Sequence, residues 1–167
     1  MAQTNAPSII LPLVALSSRS ETGTVRGEPH MVWGLNWGVG RNMRNRNEAA
    51  IAIPQAAWRA SPDFFPRGTS GNRVQFRVFT DDGATMDMTV VEQNDKALHS
   101  VPTNDLLGLY FRRRLRVADG SVVTLGHLRA FGSRFVRFSM LDDDSYVMEY
   151  SPAVEAQGTA FYGLAPM

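Results

Sequence analysis

The sequence of 167 residues contains no cysteine. The chain therefore cannot form a disulfide scaffold, a cysteine-ligated zinc site or a thiol nucleophile. It also lacks the roughly 20-residue apolar run that spans a bilayer. Its longest apolar stretch, Ile9–Leu16, is interrupted by Pro12 and has no basic flank before it, unlike a signal peptide. We expect a soluble cytoplasmic protein with a single domain over residues 1–167 and a core over about 25–151.

Lysine is nearly absent, since Lys96 is the only lysine among 17 basic residues. The charge is also unevenly distributed: residues 1–80 carry nine arginines and four acidic residues, whereas residues 81–167 carry eight basic and twelve acidic residues. The planar guanidinium fork suits phosphate and guanine recognition. A GC-rich genome would favour arginine equally, so composition alone leaves both explanations open.

The common catalytic signatures are missing as well. A metal-dependent nuclease of the usual type needs a Glu/Asp-x-Lys triplet, but Asn94 stands two residues before Lys96. The His-x-Lys motif of phospholipase-D-type nucleases does not occur, and the three histidines have no serine or carboxylate partner at an interpretable spacing. We expect no metal site and no catalysis in this chain, with an autonomous nuclease of unfamiliar type as an alternative.

Short strands dominate the pattern. Val74–Phe79 alternates between apolar and polar residues, Asp81-Asp82-Gly83 is typical of a hairpin turn, and Met86–Val90 alternates again. Phe135–Leu141 and Tyr146–Tyr150 predict a second hairpin around Asp142–Ser145, whose aspartates suit a turn better than a cation site. Further predicted strands are Ile9–Leu16, Glu28–Leu35 and Ala49–Ile53; predicted helices are a short turn at Gln55–Ala60, one capped by Thr103 with an apolar face at Leu106, Leu107, Tyr110, Phe111 and Leu115, and Thr124–Phe131.

These elements predict a mainly β fold, a barrel or sandwich of about seven strands with two short helices. Two long polar connections would project from it, Asn36–Glu48 and Glu92–Pro102. The chain beyond Ser151 is apolar without a clear period and ends abruptly, and we expect another domain to follow it.

The first connection is rich in residue types that read DNA bases. Arginine pairs bidentately with guanine, and asparagine with adenine, in the major groove. An ordinary surface loop is the alternative. The candidate DNA contacts in this segment are Asn36, Trp37, Arg41, Asn42, Arg44, Asn45, Arg46 and Asn47, with Trp37 expected to stiffen the loop.

The second connection supplies a less specific set, in which Asp95 could accept from cytosine N4 and Lys96 could reach guanine or phosphate. Its candidates are Gln93, Asn94, Asp95, Lys96, His99 and Ser100. Possible phosphate contacts elsewhere are Arg26, Arg73, Arg112 and Arg113, the last two on a helical face that we expect to be exposed. An alternative function is a carbohydrate-binding module that uses Trp33, Trp37 and Trp58.

The segment Gly34–Pro54, GLNWGVGRNMRNRNEAAIAIP, resembles part of the specificity domains of NgoFVII-type and BfiI-type restriction endonucleases. The resemblance covers about Val25 to Ser151. It implies a B-three-like DNA-binding pseudobarrel, similar also to the effector domain of EcoRII-type enzymes and their relative UbaLAI. The other matching stretches, in the same order, are Phe79–Gly83, Lys96-Ala97, Leu106–Leu115, Val123–Leu128 and Asp142–Ser151.

The resemblance further implies that two arms hold the major groove, an N-arm at Asn36–Asn47 and a C-arm at Glu92–Pro102. The domain begins the numbering, an order similar to the EcoRII type, which leads us to expect a nuclease domain after residue 167. We therefore expect a monomeric, non-catalytic, sequence-specific double-stranded DNA-binding domain of a prokaryotic Type IIE restriction endonuclease. DNA binding would need no cofactor, and magnesium would serve only the separate catalytic domain.

Overall fold

Seven strands enclose an apolar core. The computed structural model describes residues 6–17, 24–40, 45–69 and 71–167. The strands are β1 (Ser8–Pro12), β2 (Ile51–Ala52), β3 (Gln75–Thr80), β4 (Thr85–Val91), β5 (Ala97–Val101), β6 (Phe135–Asp142) and β7 (Ser145–Glu149). The helices are α1 (Gln55–Ala60), α2 (Asp105–Leu115), α3 (Leu125–Phe131) and α4 (Glu155–Tyr162), with 3-10 turns at Gly34–Asn36, Gln93–Asp95 and Pro152–Val154.

The seven strands form one mixed sheet in the order β1-β6-β7-β3-β4-β5-β2. Neighbouring strands pair antiparallel except β3 and β7, which are parallel. The two edge strands, β1 and β2, lie against each other without pairing. The sheet is therefore a nearly closed barrel with one seam, and the prediction of a mainly β pseudobarrel is confirmed.

Both predicted hairpins are present. Their apolar residues stand at every second position, so they all point to the face of the sheet that covers the core. In the first, Val78 pairs with Met86 and both side chains are buried. In the second, the turn between β6 and β7 is fixed by Asp142 Oδ1, which accepts from Asp144 N (3.1 Å) and Ser145 Oγ (2.7 Å). The core between them is aromatic, with Phe65 in contact with Phe64, Phe76, Phe138 and Tyr146.

The capping signals in the sequence predict the ends of α3 correctly but not the start of α2. Thr124 caps α3 in a capping box with His127, and Gly132 ends the helix at a φ of 105°. In α2 the N-cap is Asn104 rather than Thr103, and Leu106 is exposed instead of lying on the apolar face. The predicted short helix at Gln55–Ala60 is α1 without change.

Three predictions about elements are wrong. Glu28–Leu35 is not a strand: it turns at Gly27 and Gly34, both at positive φ, and Trp33 packs on the outer side of the sheet. The segment Glu92–Pro102 is not a continuous polar connection, because β5 occupies Ala97–Val101 and leaves only residues 92–96 and Pro102 outside the strands. The segment after Ser151 contains α4, which the sequence did not reveal because its apolar residues follow no helical period.

A buried polar cluster connects α2 to the segments beside it. Arg112, expected on an exposed face, is instead 0% exposed and donates to the carbonyls of Ser121 (3.0 and 3.1 Å), Gly108 (3.3 Å) and Leu35 (3.3 Å). Burial lowers the pKa of Arg112, and the negative charge of Asp119 partly opposes that shift.

Among the described helices, none is long and apolar enough to cross a membrane.

We expect Arg112→Ala to lower the free energy of unfolding by about 3 kcal/mol, because it leaves a cavity and unpaired buried carbonyls. The matched control is Arg113→Ala. Arg113 is the next residue and its side chain is exposed, so its loss should change the free energy of unfolding by about 0.5 kcal/mol or less. Urea denaturation followed by circular dichroism measures both. Equal losses in the two variants would contradict the structural role of Arg112.

We expect Gly158→Ala to destabilise the protein by about 1–3 kcal/mol, although alanine favours helices. A Cβ on Gly158 would lie 2.1 Å from Cγ of Phe135, which is fully buried and stacks with Tyr162 of the same helix. Thermal unfolding measures the loss. The control is the reverse exchange on the exposed side of α4, Ala160→Gly, which should lower the free energy of unfolding by about 1 kcal/mol through helix propensity alone. An unchanged melting temperature for Gly158→Ala would show that α4 does not dock as described.

Candidate nucleic-acid interface

The first predicted arm forms a loop with adjacent ends, which we call the N-loop (residues 38–48). Gly38 N donates to Glu48 O at 3.0 Å. A Cβ on Gly38 would lie 1.9 Å from Asn45 O, so the close approach requires glycine. The candidates Arg41, Asn42 and Arg44 lie outside the described residues.

The described candidates of the N-loop are partly held by neighbouring elements. Asn45 Nδ2 donates to Asp105 Oδ2 (3.1 Å), and Arg46 Nε donates to Gly120 O (2.9 Å). Asn47 Oδ1 accepts from Gly120 N at 2.6 Å. Asn45 and Arg46 are nevertheless exposed. These contacts give residues 45–47 a defined position on α2 and the turn that follows it.

Two N-arm candidates lie in the interior. Asn36 is 0% exposed; its Nδ2 donates to His30 O (2.8 Å) and Val123 O (2.9 Å), and its Oδ1 accepts from Val123 N (2.7 Å). Trp37 is buried and contacts Trp33 and His99 edge-on. Both residues are buried directly before the N-loop, and the stiffening role of Trp37 stays a prediction.

The second predicted arm is shorter than expected, and we call it the C-turn (residues 92–96). It contains three non-glycine residues with positive φ, namely Glu92 (72°), Asn94 (64°) and Asp95 (53°). Gln93, Asn94 and Lys96 are exposed. The other two C-arm candidates belong to β5 and are buried: His99 is 9% exposed, and Ser100 Oγ donates to Thr103 O and accepts from Leu107 N.

The N-loop and the C-turn approach each other at His99. The ring centroids of Trp37 and His99 lie 5.9 Å apart, and His99 Nε2 lies 3.7 Å from Glu92 Oε1. Trp37 precedes the N-loop directly, and Glu92 begins the C-turn. A single β5 side chain on the outer side of the barrel therefore contacts the base of one segment and the start of the other.

The four possible phosphate contacts have different surroundings. Arg26 is exposed but donates to Leu16 O (2.9 Å) and Gly163 O (3.3 Å), whereas Arg112 is buried as described above. Arg113 is exposed on α2. Arg73 lies beside the C-turn, in a cleft of about 320 Å³ that Glu92 and Asp95 also line.

Sequence reasoning missed a pair of residues that contact the C-turn. Trp58 Nε1 donates to Asp95 O at 2.7 Å, and the Arg67 guanidinium lies 3.8 Å above the Trp58 ring. Arg67 also lies 3.7 Å from Asp95 Oδ2. Contacts between residues 28 to 37 positions apart leave no local sequence signal.

The three tryptophans do not form one exposed platform. Trp37 is buried, Trp33 is half-buried against Ala50, Val91 and Ala97, and Trp58 is half-buried beneath Arg67. Within the described residues, no group of three or more histidine, aspartate or glutamate side chains could hold a metal ion.

Comparison with known proteins identifies the family. The model of the NgoFVII C-terminal B3-like DNA-binding domain matches residues 13–148, a range that includes the N-loop and the C-turn. A solved structure of a hypothetical Arabidopsis thaliana protein is similar with a TM-score of 0.38 and 12% identity, over 90% of this chain and 96% of that one. No curated protein matches the sequence. Because the family model covers most of the chain, the protein belongs to the NgoFVII C-terminal B3-like DNA-binding domain family.

Proposed function

We propose that this domain binds double-stranded DNA sequence-specifically, with the N-loop and the C-turn entering one major groove. The observation that carries the proposal is the contact of both segments with His99. The Trp37 ring, directly before the N-loop, contacts His99 edge-on, and Glu92 Oε1, at the start of the C-turn, lies 3.7 Å from His99 Nε2. Because both loops begin beside the same side chain, they can reach the same face of a duplex, whose major groove is about 12 Å wide.

The exposed polar side chains suit this role. Arg46 is positioned by its Nε bond to Gly120 O, which leaves its terminal nitrogens for a bidentate contact with guanine or phosphate. Gln93, Asn94 and Lys96 are exposed on the C-turn, and Arg73 lies beside it. Arg41, Asn42 and Arg44 extend the same composition within the N-loop, and Arg113 on α2 remains a possible phosphate contact.

We also propose that the domain acts in a restriction-modification system, as the effector domain of a Type IIE restriction endonuclease. In this role it would bind as a monomer and leave hydrolysis to a covalently linked, magnesium-dependent nuclease domain. The family supports this proposal, since it is a family of DNA-binding domains of restriction enzymes.

Selection from a randomised duplex library in magnesium-free buffer should recover one short motif of roughly five or six base pairs. Affinity for that motif should fall as salt rises, by about 0.9 log units per log unit of salt for each phosphate neutralised. A palindromic motif would agree with the Type IIE role, whereas an asymmetric motif would favour a BfiI-like role.

Two results would contradict the proposal. Salt-sensitive binding to every duplex without a recovered motif would leave a backbone binder that does not read sequence. Absence of binding to any duplex at low salt would exclude the proposed function for this domain.

We expect Lys96→Ala to weaken binding to the selected duplex by about 1–3 kcal/mol and to relax the preference at one base pair. The control is Arg129→Ala, which removes an exposed cation in a separate cleft lined by residues 26–28 and 164–167. Fluorescence anisotropy on the motif and its single-base variants measures both. Equal weakening on all duplexes, with a salt slope reduced by about one, would make Lys96 a phosphate contact instead of a base contact.

A further inference from the structure

The C-turn adopts a backbone conformation that its own residues disfavour. Glu92 has φ 72° and ψ 165°, a region that is essentially restricted to glycine, and Asn94 and Asp95 are left-handed. Residues without glycine's freedom stay in such conformations only when surrounding contacts impose them. The contacts on this turn therefore determine how its exposed side chains are presented.

Trp58 supplies the first of these contacts. Its Nε1 donates to Asp95 O at 2.7 Å, directly at one of the left-handed residues. The indole itself is fixed, because Trp58 belongs to α1 and contacts the buried ring of Phe65 edge-on, with centroids 6.3 Å apart. The bond thus ties the middle of the C-turn to the aromatic core.

Arg67 supplies the second contact. Its guanidinium lies 3.8 Å above the Trp58 ring, donates to Pro62 O (2.8 Å) and lies 3.7 Å from Asp95 Oδ2. Asp95 is therefore held at its backbone by Trp58 and at its carboxylate by Arg67. The end of the turn is held separately by the bond from Ile53 N to Lys96 O (2.8 Å).

We propose that Trp58 and Arg67 are positioning residues for DNA recognition. They impose the left-handed C-turn and thereby align Gln93, Asn94 and Lys96 with the base edges, while Asp95 serves as their attachment point instead of contacting a base. This inference rests on the proposed sequence-specific binding. It assigns specificity to two residues outside both predicted arms.

The test is Trp58→Phe, which keeps an aromatic ring under Arg67 but removes the N–H donor. We expect the ratio of affinities for the selected motif and for an unrelated duplex to fall about tenfold, whereas affinity for the unrelated duplex and its salt slope stay unchanged. Hydrogen exchange should become faster at the Asp95 amide, which donates to Glu92 O. The matched control is Tyr162→Phe, which removes a donor to Ile10 O (2.6 Å) on the β1 side of the barrel and should leave the ratio unchanged.

A second variant, Arg67→Met, guards against misfolding of Trp58→Phe, because Arg67 is exposed. Its loss removes the stacked cation, the exposed bond to Pro62 O and the contact with Asp95. It should lower the same ratio with little change in melting temperature. If the wild-type protein recovers a motif but Arg67→Met and a folded Trp58→Phe retain the full ratio, the inference is wrong. If the wild-type protein recovers no motif, the proposed function itself fails, so the two failures are distinguishable.

Discussion

The position of the proposed interface depends on one buried charge. Arg112 has lost its hydration, and burial lowers its pKa, so its guanidinium is stable in the interior only with carbonyl partners around it. Those partners come from α2 itself, from Leu35 before the N-loop and from Ser121 after α2. Asn36 adds a second link between the same segments through Val123. Polar groups in the interior have few alternative partners, which makes this arrangement specific as well as stable.

The two loops are held by different means, although they meet at His99. The N-loop is closed by its own backbone at Gly38 and Glu48, and its residues 45–47 bond to α2 and to Gly120. The C-turn has an unfavourable backbone and depends on side chains that come from α1 and from Arg67. The C-turn and the described residues of the N-loop are thereby held in defined positions on the barrel.

The sequence predicted those parts of the fold whose signals are local. Alternation identified both hairpins, and Thr124 and Gly132 marked the ends of α3, because register and capping depend on neighbouring residues. The sequence did not predict the features that depend on contacts between distant segments, namely which polar residues are buried and which segments join the sheet. Arg112 is polar but buried, and no local pattern marks it, because its burial depends on packing against segments such as Leu35, which lies 77 positions away. Glu28–Leu35 has strand-like composition but covers the outside of the sheet. β5 was hidden because it carries polar residues, such as His99 and Ser100, that neighbouring segments bury.

Arginine content by itself does not mark the interface, because much of it stabilises the barrel. In the acidic second half, Arg114, Arg134 and Arg137 pair with Asp81, Glu155 and Glu149, and the first two also donate to backbone carbonyls. A five-donor fork can satisfy a carboxylate and a carbonyl together, which lysine does less well. The arginine preference thus has a structural cause in addition to any genomic one. What distinguishes candidate DNA contacts is arginine that is both exposed and beside the two loops, as at Arg46 and Arg73.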